Sequence, residues 1–184
     1  MLLWFASRAA GLVTLVLLTG TVVLGVSNAM RFVPPGWPRF VLALLHRNLA
    51  LLTIAFLALH VTTAVMDGYV DIAWLAVVVP FASGYEPFWV GLGTIAADLL
   101  IVLVVTSLLR TRIGLRAWRA LHWTAYSAWP VAVAHGLGVG GIDSRTPWIL
   151  ALTFGCIAAS AAAVAWRLLA RQRVPPTAAE GSRW

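Results

Sequence analysis

The chain has 184 residues, of which 61% are hydrophobic and 10% are charged, and its formal net charge at pH 7 is +7. A soluble domain carries about 25% charged residues, so this composition excludes an ordinary soluble enzyme and indicates an integral membrane protein. The positive charge comes from arginine, without any lysine. Because the arginines lie between apolar runs, they indicate orientation in a membrane and not nucleic-acid binding.

Five apolar runs predict membrane-spanning helices, since each is close to or longer than the ~18 residues that a spanning helix needs. In chain order, the predicted helices cover approximately residues 2–26, 40–66, 90–109, 117–139 and 148–169. The first run is too long for the apolar core of a signal peptide, so we predict that it is retained as a helix.

The stretch between the second and third predicted helices contains another apolar run, but Pro80 interrupts it. This run is too short to cross the membrane, and a half-helix over residues 71–82 on one membrane face is the better prediction. The predicted fold is an all-α, polytopic transmembrane helix bundle of about five spans, or six if the half-helix is counted. We expect one bundle domain over residues 1–170 and a disordered cytoplasmic tail over residues 171–184.

The charged loops predict the orientation of the bundle. The loops after the first and third predicted helices and the C-terminal tail carry Arg31, Arg39, Arg110, Arg112, Arg116, Arg119, Arg167, Arg171, Arg173 and Arg183. The opposite loops carry Asp67, Asp71, Glu86, Asp143 and one arginine, Arg145. The positive-inside rule then places the N-terminus outside and the C-terminus in the cytoplasm, with Arg8 as the exception. We expect a multi-pass protein of the cell membrane, which in a bacterium is the inner membrane.

The four histidines of the chain lie in the second and fourth predicted helices. His46 and His60 stand fourteen residues apart, which is nearly four helical turns. Both imidazoles therefore lie on one helix face, about 21 Å apart along the axis. His122 and His135 stand thirteen residues apart, and a kink at Pro130 is our explanation for how the second pair also reaches one face.

One span separates the second and fourth predicted helices, so these helices run in the same direction. His46 is then expected at the depth of His122, near the inner leaflet, and His60 at the depth of His135, near the outer leaflet. Two neutral imidazoles fill both axial positions of a haem iron. The pattern predicts two stacked haems, with structural hydrogen bonds as the alternative role of the histidines. Cys156 is the single cysteine, so a C-x-x-C-H site for covalent haem is excluded.

Two segments resemble those of a known family: LHRNLALLTIAFLALHVTT at residues 45–63 and LHWTAYSAWPVAVAHGLG at residues 121–138. Together with the histidine spacings, they resemble the ferric reductase-like transmembrane domain. That superfamily includes the membrane core of NADPH oxidases and ferric reductases, and the haem-binding membrane subunit of bacterial methionine sulfoxide reductase systems. The resemblance covers about residues 40–140. Members commonly have six spans, whereas five are predicted here.

The resemblance implies that the four histidines are the axial iron ligands of two b-type haems, paired as His46/His122 and His60/His135. It also implies that electrons travel outward from a cytoplasmic flavin. NADPH oxidases and ferric reductases carry a flavin- and nicotinamide-binding domain after the bundle, and this sequence has no recognisable motif for either cofactor. We therefore expect the haem-carrying membrane subunit of an oxidoreductase. Its expected partner is a cytoplasmic flavoprotein or an FMN-binding redox protein, which would carry FMN or FAD.

Two further residues are candidates for contact with a cofactor. Arg47 follows His46, and arginine pairs bidentately with carboxylates such as the haem propionates; ordinary positive-inside charge is the alternative. Trp129 lies almost midway between His122 and His135, so its indole is a candidate to lie between the haems, with core or lipid-facing packing as the alternative.

The expected function is transmembrane electron transfer through two bis-histidine haems, from a cytoplasmic flavoprotein to an acceptor at the outer face. The acidic outer loops, with Asp67, Asp71 and Glu86, are expected to suit a cationic acceptor. Two alternatives stay open at this point. One is a quinol-linked haem subunit that serves a periplasmic reductase, and the other is a haem-free membrane scaffold.

Overall fold

A computed structural model describes residues 2–68, 70, 72–141 and 143–172 of the chain. Its helices are α1 (Leu2–Ala29), α2 (Arg39–Met66), α3 (Pro87–Leu108), α4 (Arg110–Ile113), α5 (Leu115–His122), α6 (Ala125–Val139) and α7 (Pro147–Gln172). Two short 3₁₀ turns cover Trp74–Val77 and Asp143–Arg145, and the described residues contain no strand. The predicted all-α class is confirmed. The part of the predicted tail at 173–184 lies outside the described residues.

Among the described residues, four helices, α1, α2, α3 and α7, are long and apolar enough to cross a membrane. The remaining predicted span, residues 117–139, is not one helix, because α5 ends at His122 and α6 begins at Ala125. The break lies at Trp123 and Thr124, and Pro130 lies inside the continuous α6. The helix is therefore interrupted at Trp123 and Thr124, before Pro130, and this break contributes to the phase change that was expected from Pro130.

The local hydrogen bonds explain how this break changes the phase of the helix. The amides of Thr124, Tyr126 and Ser127 each donate to the carbonyl three residues earlier, at 3.0, 3.2 and 2.9 Å. The Thr124 hydroxyl also donates to the Leu121 carbonyl at 2.7 Å. Three-residue bonds of this kind rotate the chain by about 120° per residue instead of about 100°. The three bonds thus supply about 60° of the roughly 140° by which thirteen residues of a straight helix miss one face.

The helices pack in two close pairs. α1 packs along α2, and α3 packs along α6, while α7 and α6 both lie against α1. Within the described residues, α2 and the α5–α6 segment share few close backbone contacts, although they carry the four histidines. The backbones of the two histidine-bearing segments are therefore farther apart than those within the pairs α1/α2 and α3/α6.

A buried apolar layer lies at mid-depth in the bundle. Its members are Leu18, Leu100, Leu103 and Ala128, with the partly buried Ile54, Leu57, Leu99, Ala125, Trp129 and Ala132 packed around them. These residues come from α1, α2, α3 and α6, and those of α2 and α6 lie between the histidines of their segments in the sequence. Many large apolar side chains on the outside of the bundle are exposed, as expected for a surface covered by lipid.

The segment between α2 and α3 forms a short 3₁₀ turn at Trp74–Val77 in place of the predicted half-helix over 71–82. The Thr94 hydroxyl of α3 donates to the Ala76 carbonyl at 2.7 Å and holds the turn against the bundle. At the same end of the bundle Asp67 is buried, Glu86 is exposed, and Asp71 lies outside the described residues. The expectation that Asp67 contributes to an acidic outer surface is therefore wrong, because its side chain is buried.

Candidate functional site

The structure brings the four histidines together in two pairs. The ring centroids of His46 and His122 lie 6.3 Å apart, with an angle of 66° between the ring planes. The centroids of His60 and His135 lie 6.2 Å apart, with an angle of 75°. The first pair lies at the end of the bundle that carries the arginine loop, and we call it the inner pair. The other is the outer pair.

The spacing within each pair fits one metal ion between two imidazoles. Two metal–nitrogen bonds of about 2.0 Å in line, plus about 1.2 Å from each nitrogen to its ring centre, separate two axial imidazole centroids by about 6.4 Å. The observed separations, 6.3 and 6.2 Å, match this value. Within the described part of the chain, no three His, Cys, Asp or Glu side chains converge on one point. Each pair therefore offers two protein ligands, the number that a haem iron takes.

Three of the four imidazoles are oriented by backbone carbonyls on neighbouring helices. His46 Nδ1 lies 2.9 Å from the Thr21 oxygen, and His60 Nδ1 lies 2.7 Å from the Ser7 oxygen. His135 Nδ1 lies 2.8 Å from the Trp89 oxygen. A carbonyl can only accept, so each of these Nδ1 atoms carries the proton and donates it. Nε2 of each neutral ring is then left with a free lone pair, as a metal ligand requires.

His122 is held differently from the other three. Its Nδ1 atom is buried and has no hydrogen-bond partner among the described residues. Its ring instead stacks on Trp118, with centroids 4.9 Å apart and planes at 29°. The Trp118 indole N–H donates to the Ser107 hydroxyl of α3 at 3.2 Å, which fixes the indole against the bundle.

A cavity of about 1090 Å³ opens beside the inner pair. Both His46 and His122 line it, together with Arg47, Arg110 and Arg119. Arg167 of α7 also lines it, donates to the Tyr126 hydroxyl, and places its guanidinium 4.9 Å from the centre of the Trp123 ring. At this end of the bundle, two imidazoles, apolar side chains and several arginines thus line one cavity.

Trp129 has a defined place in the apolar layer between the two pairs. It packs against the buried cluster, and its indole N–H donates to the Thr19 hydroxyl of α1 at 3.0 Å. The Thr19 hydroxyl also donates to the Leu15 carbonyl at 2.8 Å, so the bond from Trp129 gives the indole N–H an acceptor within an apolar region.

The residues that orient the histidines are not apparent from the sequence. Ser7 and Thr21 lie in α1, which carries no titratable ligand, so nothing in that helix pointed to a site. One signal was present: Ser7 and Thr21 stand fourteen residues apart, the same interval as His46 and His60. Since α1 and α2 are adjacent and antiparallel, the equal spacing lets Ser7 lie beside His60 and Thr21 beside His46.

Comparison with known proteins identifies one family. The family described as "Ferric reductase like transmembrane component" matches residues 10–133, which is more than half of the chain. The matched region contains His46, His60 and His122 and ends just before His135. Searches of curated proteins and of solved structures gave no significant match.

Proposed function

The chain belongs to the ferric reductase-like transmembrane component family, and on this basis we propose that it transfers electrons across a membrane through two b-type haems. His46 and His122 would ligate the inner haem, and His60 and His135 the outer haem. The observation that carries the proposal is the centroid separation of 6.3 and 6.2 Å in the two pairs. Each pair would hold one haem iron, at two different depths in the bundle.

When bound, the haems supply iron centres that take up and release one electron at a time. The protein's part is to hold, orient and insulate them. The carbonyls of Ser7, Thr21 and Trp89 keep three imidazoles in the tautomer that presents Nε2. Since each pair would supply two histidine ligands to one iron, the sites would favour electron transfer over oxygen binding.

The apolar layer at mid-depth separates the two sites and excludes water from the space between them. Leu18, Leu100 and Leu103 are each at most 8% exposed, and Ala128 is fully buried. A low-polarity layer of this kind prevents an electron or proton from leaving toward solvent between the sites. Trp129 lies in the same layer, and we propose that its indole lies between the two haems.

The arginines around the inner cavity support a role in binding anions. We propose that Arg47 pairs with a propionate of the inner haem, since both Arg47 and His46 line the cavity. By the positive-inside rule, this arginine-bearing end faces the cytoplasm. The donor would be a cytoplasmic flavoprotein or FMN-binding protein, and electrons would pass from the inner to the outer pair and then to an external acceptor.

Proteoliposomes of known orientation test this function. A reduced flavin is supplied on the side of the arginine loop, with a ferric chelate enclosed on the other side, and ferrous iron is measured with a trapped colorimetric chelator. We expect ferrous iron to appear across the membrane. His60→Ala should abolish its appearance while the inner haem still becomes reduced. Wild-type transfer rates in His60→Ala would exclude the outer pair from the path. A quinol in place of the flavin tests the alternative donor.

A further inference from the structure

Three of the histidines contact a glycine on the neighbouring helix. An ideal Cβ atom built on Gly93 would lie 2.6 Å from His135 Cε1 and 2.7 Å from Nδ1. The same atom on Gly11 would lie 3.0 Å from His60 Nδ1, and on Gly25 it would lie 3.1 Å from His46 Cε1. Any side chain at these positions would meet an imidazole ring.

Each of these glycines lies four residues after the residue whose carbonyl accepts the hydrogen bond from the histidine. The pairs are Ser7 and Gly11, Thr21 and Gly25, and Trp89 and Gly93. In an α-helix, the carbonyl of one residue points at the amide of the residue four places later, and that later side chain covers it. Where the later residue is glycine, the carbonyl's second lone pair is open to a donor from outside the helix.

We propose that Gly11, Gly25 and Gly93 are positioning residues, each completing a carbonyl–glycine seat that fixes the orientation and tautomer of one haem-ligating histidine. This inference rests on the proposed function. Each carbonyl–glycine seat consists of a helix carbonyl and the glycine four residues after it. Gly11 and Gly93 serve the outer pair through His60 and His135, and Gly25 serves the inner pair through His46.

The fourth histidine, His122, has no such glycine beside it. Fourteen residues after Trp89 and Gly93, near the opposite end of α3, stand Leu103 and Ser107. Ser107 has a side chain, and its hydroxyl accepts the indole N–H of Trp118. No carbonyl of α3 reaches His122, and Nδ1 of that ring has no partner among the described residues. The outer pair therefore has two seats, and the inner pair has one.

A seat affects the electronic character of its ligand as well as its position. An Nδ1–H bond to a carbonyl makes the imidazole a stronger electron donor and stabilises ferric over ferrous iron. Pushing a ring out of its seat should therefore raise the midpoint potential of the affected haem and weaken its low-spin ligation. The size of the effect should follow the closeness of contact, in the order Gly93, Gly11, Gly25.

The test is a set of single alanine variants in the full-length protein: Gly93→Ala, Gly11→Ala and Gly25→Ala. Gly155→Ala is the matched control, since Gly155 is also a helical glycine but has no atom within 4 Å of its built Cβ. Haem content, electron paramagnetic resonance and redox titration are recorded for each. We expect Gly93→Ala to lose most of the low-spin signal of the outer haem and to raise its potential, with the inner haem unchanged.

The other variants and a rescue make the outcome decisive. Gly25→Ala should alter the inner haem alone, and its milder contact makes it the variant expected to fold normally. Free imidazole should restore the low-spin signal in Gly93→Ala, which shows that the bundle is intact and that only the ligand has been displaced. If the wild type binds two haems and all three variants keep its spectra and potentials, the glycines do not position the histidines, and the proposed function still stands. A wild type without haem would overturn both.

Discussion

The imidazole rings of His60 and His135 lie with their centroids 6.2 Å apart and their planes at 75°, and each ring is hydrogen-bonded at Nδ1 to a different helix. His60 is tied to α1 and His135 to α3, so the angle between the planes is set by the packing of the bundle. A fixed, steep angle between two axial imidazoles has a spectroscopic consequence.

Steeply crossed axial imidazoles leave two iron d orbitals close in energy. We therefore expect both ferric haems to give the highly anisotropic low-spin resonance with one large g value, because the inner rings are also crossed, at 66°. Electron paramagnetic resonance of the oxidised protein at low temperature measures this directly. A rhombic low-spin spectrum of the kind given by parallel imidazoles would contradict the crossed orientation of the rings.

The pairing predicts which substitutions affect the same haem. His46→Ala and His122→Ala should each remove or convert the inner haem, and His60→Ala and His135→Ala the outer one, so each variant keeps about half of the haem. Redox titration followed at the α band distinguishes the two components. If His46→Ala removed the same component as His135→Ala, the pairs would be assigned wrongly.

Trp118 is predicted to hold His122, whose Nδ1 has no acceptor among the described residues. Trp118→Leu removes a ring stack worth about 1 kcal/mol, so an external ligand should replace His122 about five times more readily. Carbon monoxide titration of the reduced protein measures this, with Trp148→Leu, an exposed tryptophan at the start of α7, as the control. Equal carbon monoxide affinity in the two variants would show that the stack does not hold the ligand.

Part of this site follows from periodicity and part does not. The fourteen-residue interval predicted that His46 and His60 lie on one face of their helix. Because that helix and the segment with His122 and His135 run in the same direction, the sequence also predicted which rings come together. The break at Trp123 and Thr124 was not predictable, because neither residue is a strong helix breaker and the change lies in which carbonyl each amide selects.

The carbonyl–glycine seats were missed for a different reason. Reading a helix by side-chain pattern treats every backbone carbonyl as satisfied within the helix. The Ser7 and Thr21 carbonyls contribute a second lone pair, which no pattern of side chains reveals. The fourteen-residue interval within α1, from Gly11 to Gly25, was the available signal, and it acquires meaning only beside the same interval in α2.

The orientation of the chain is a separate prediction. A cysteine introduced by Ser182→Cys should resist a membrane-impermeant maleimide in intact cells, and one introduced by Gly84→Cys, at an exposed site beside α3, should react. The native Cys156 is buried in α7 and should contribute little background. The reverse labelling pattern would place the arginine-bearing end outside and reverse the proposed direction of electron flow.

The central claim is that each histidine pair holds one haem, and haem stoichiometry tests it most directly. A pyridine haemochrome assay on the purified full-length protein, set against protein concentration from amino-acid analysis, should give two haems b per chain. Acid acetone should extract both, since the single Cys156 provides no C-x-x-C-H attachment site. A protein that folds and inserts into the membrane without binding haem would contradict the account.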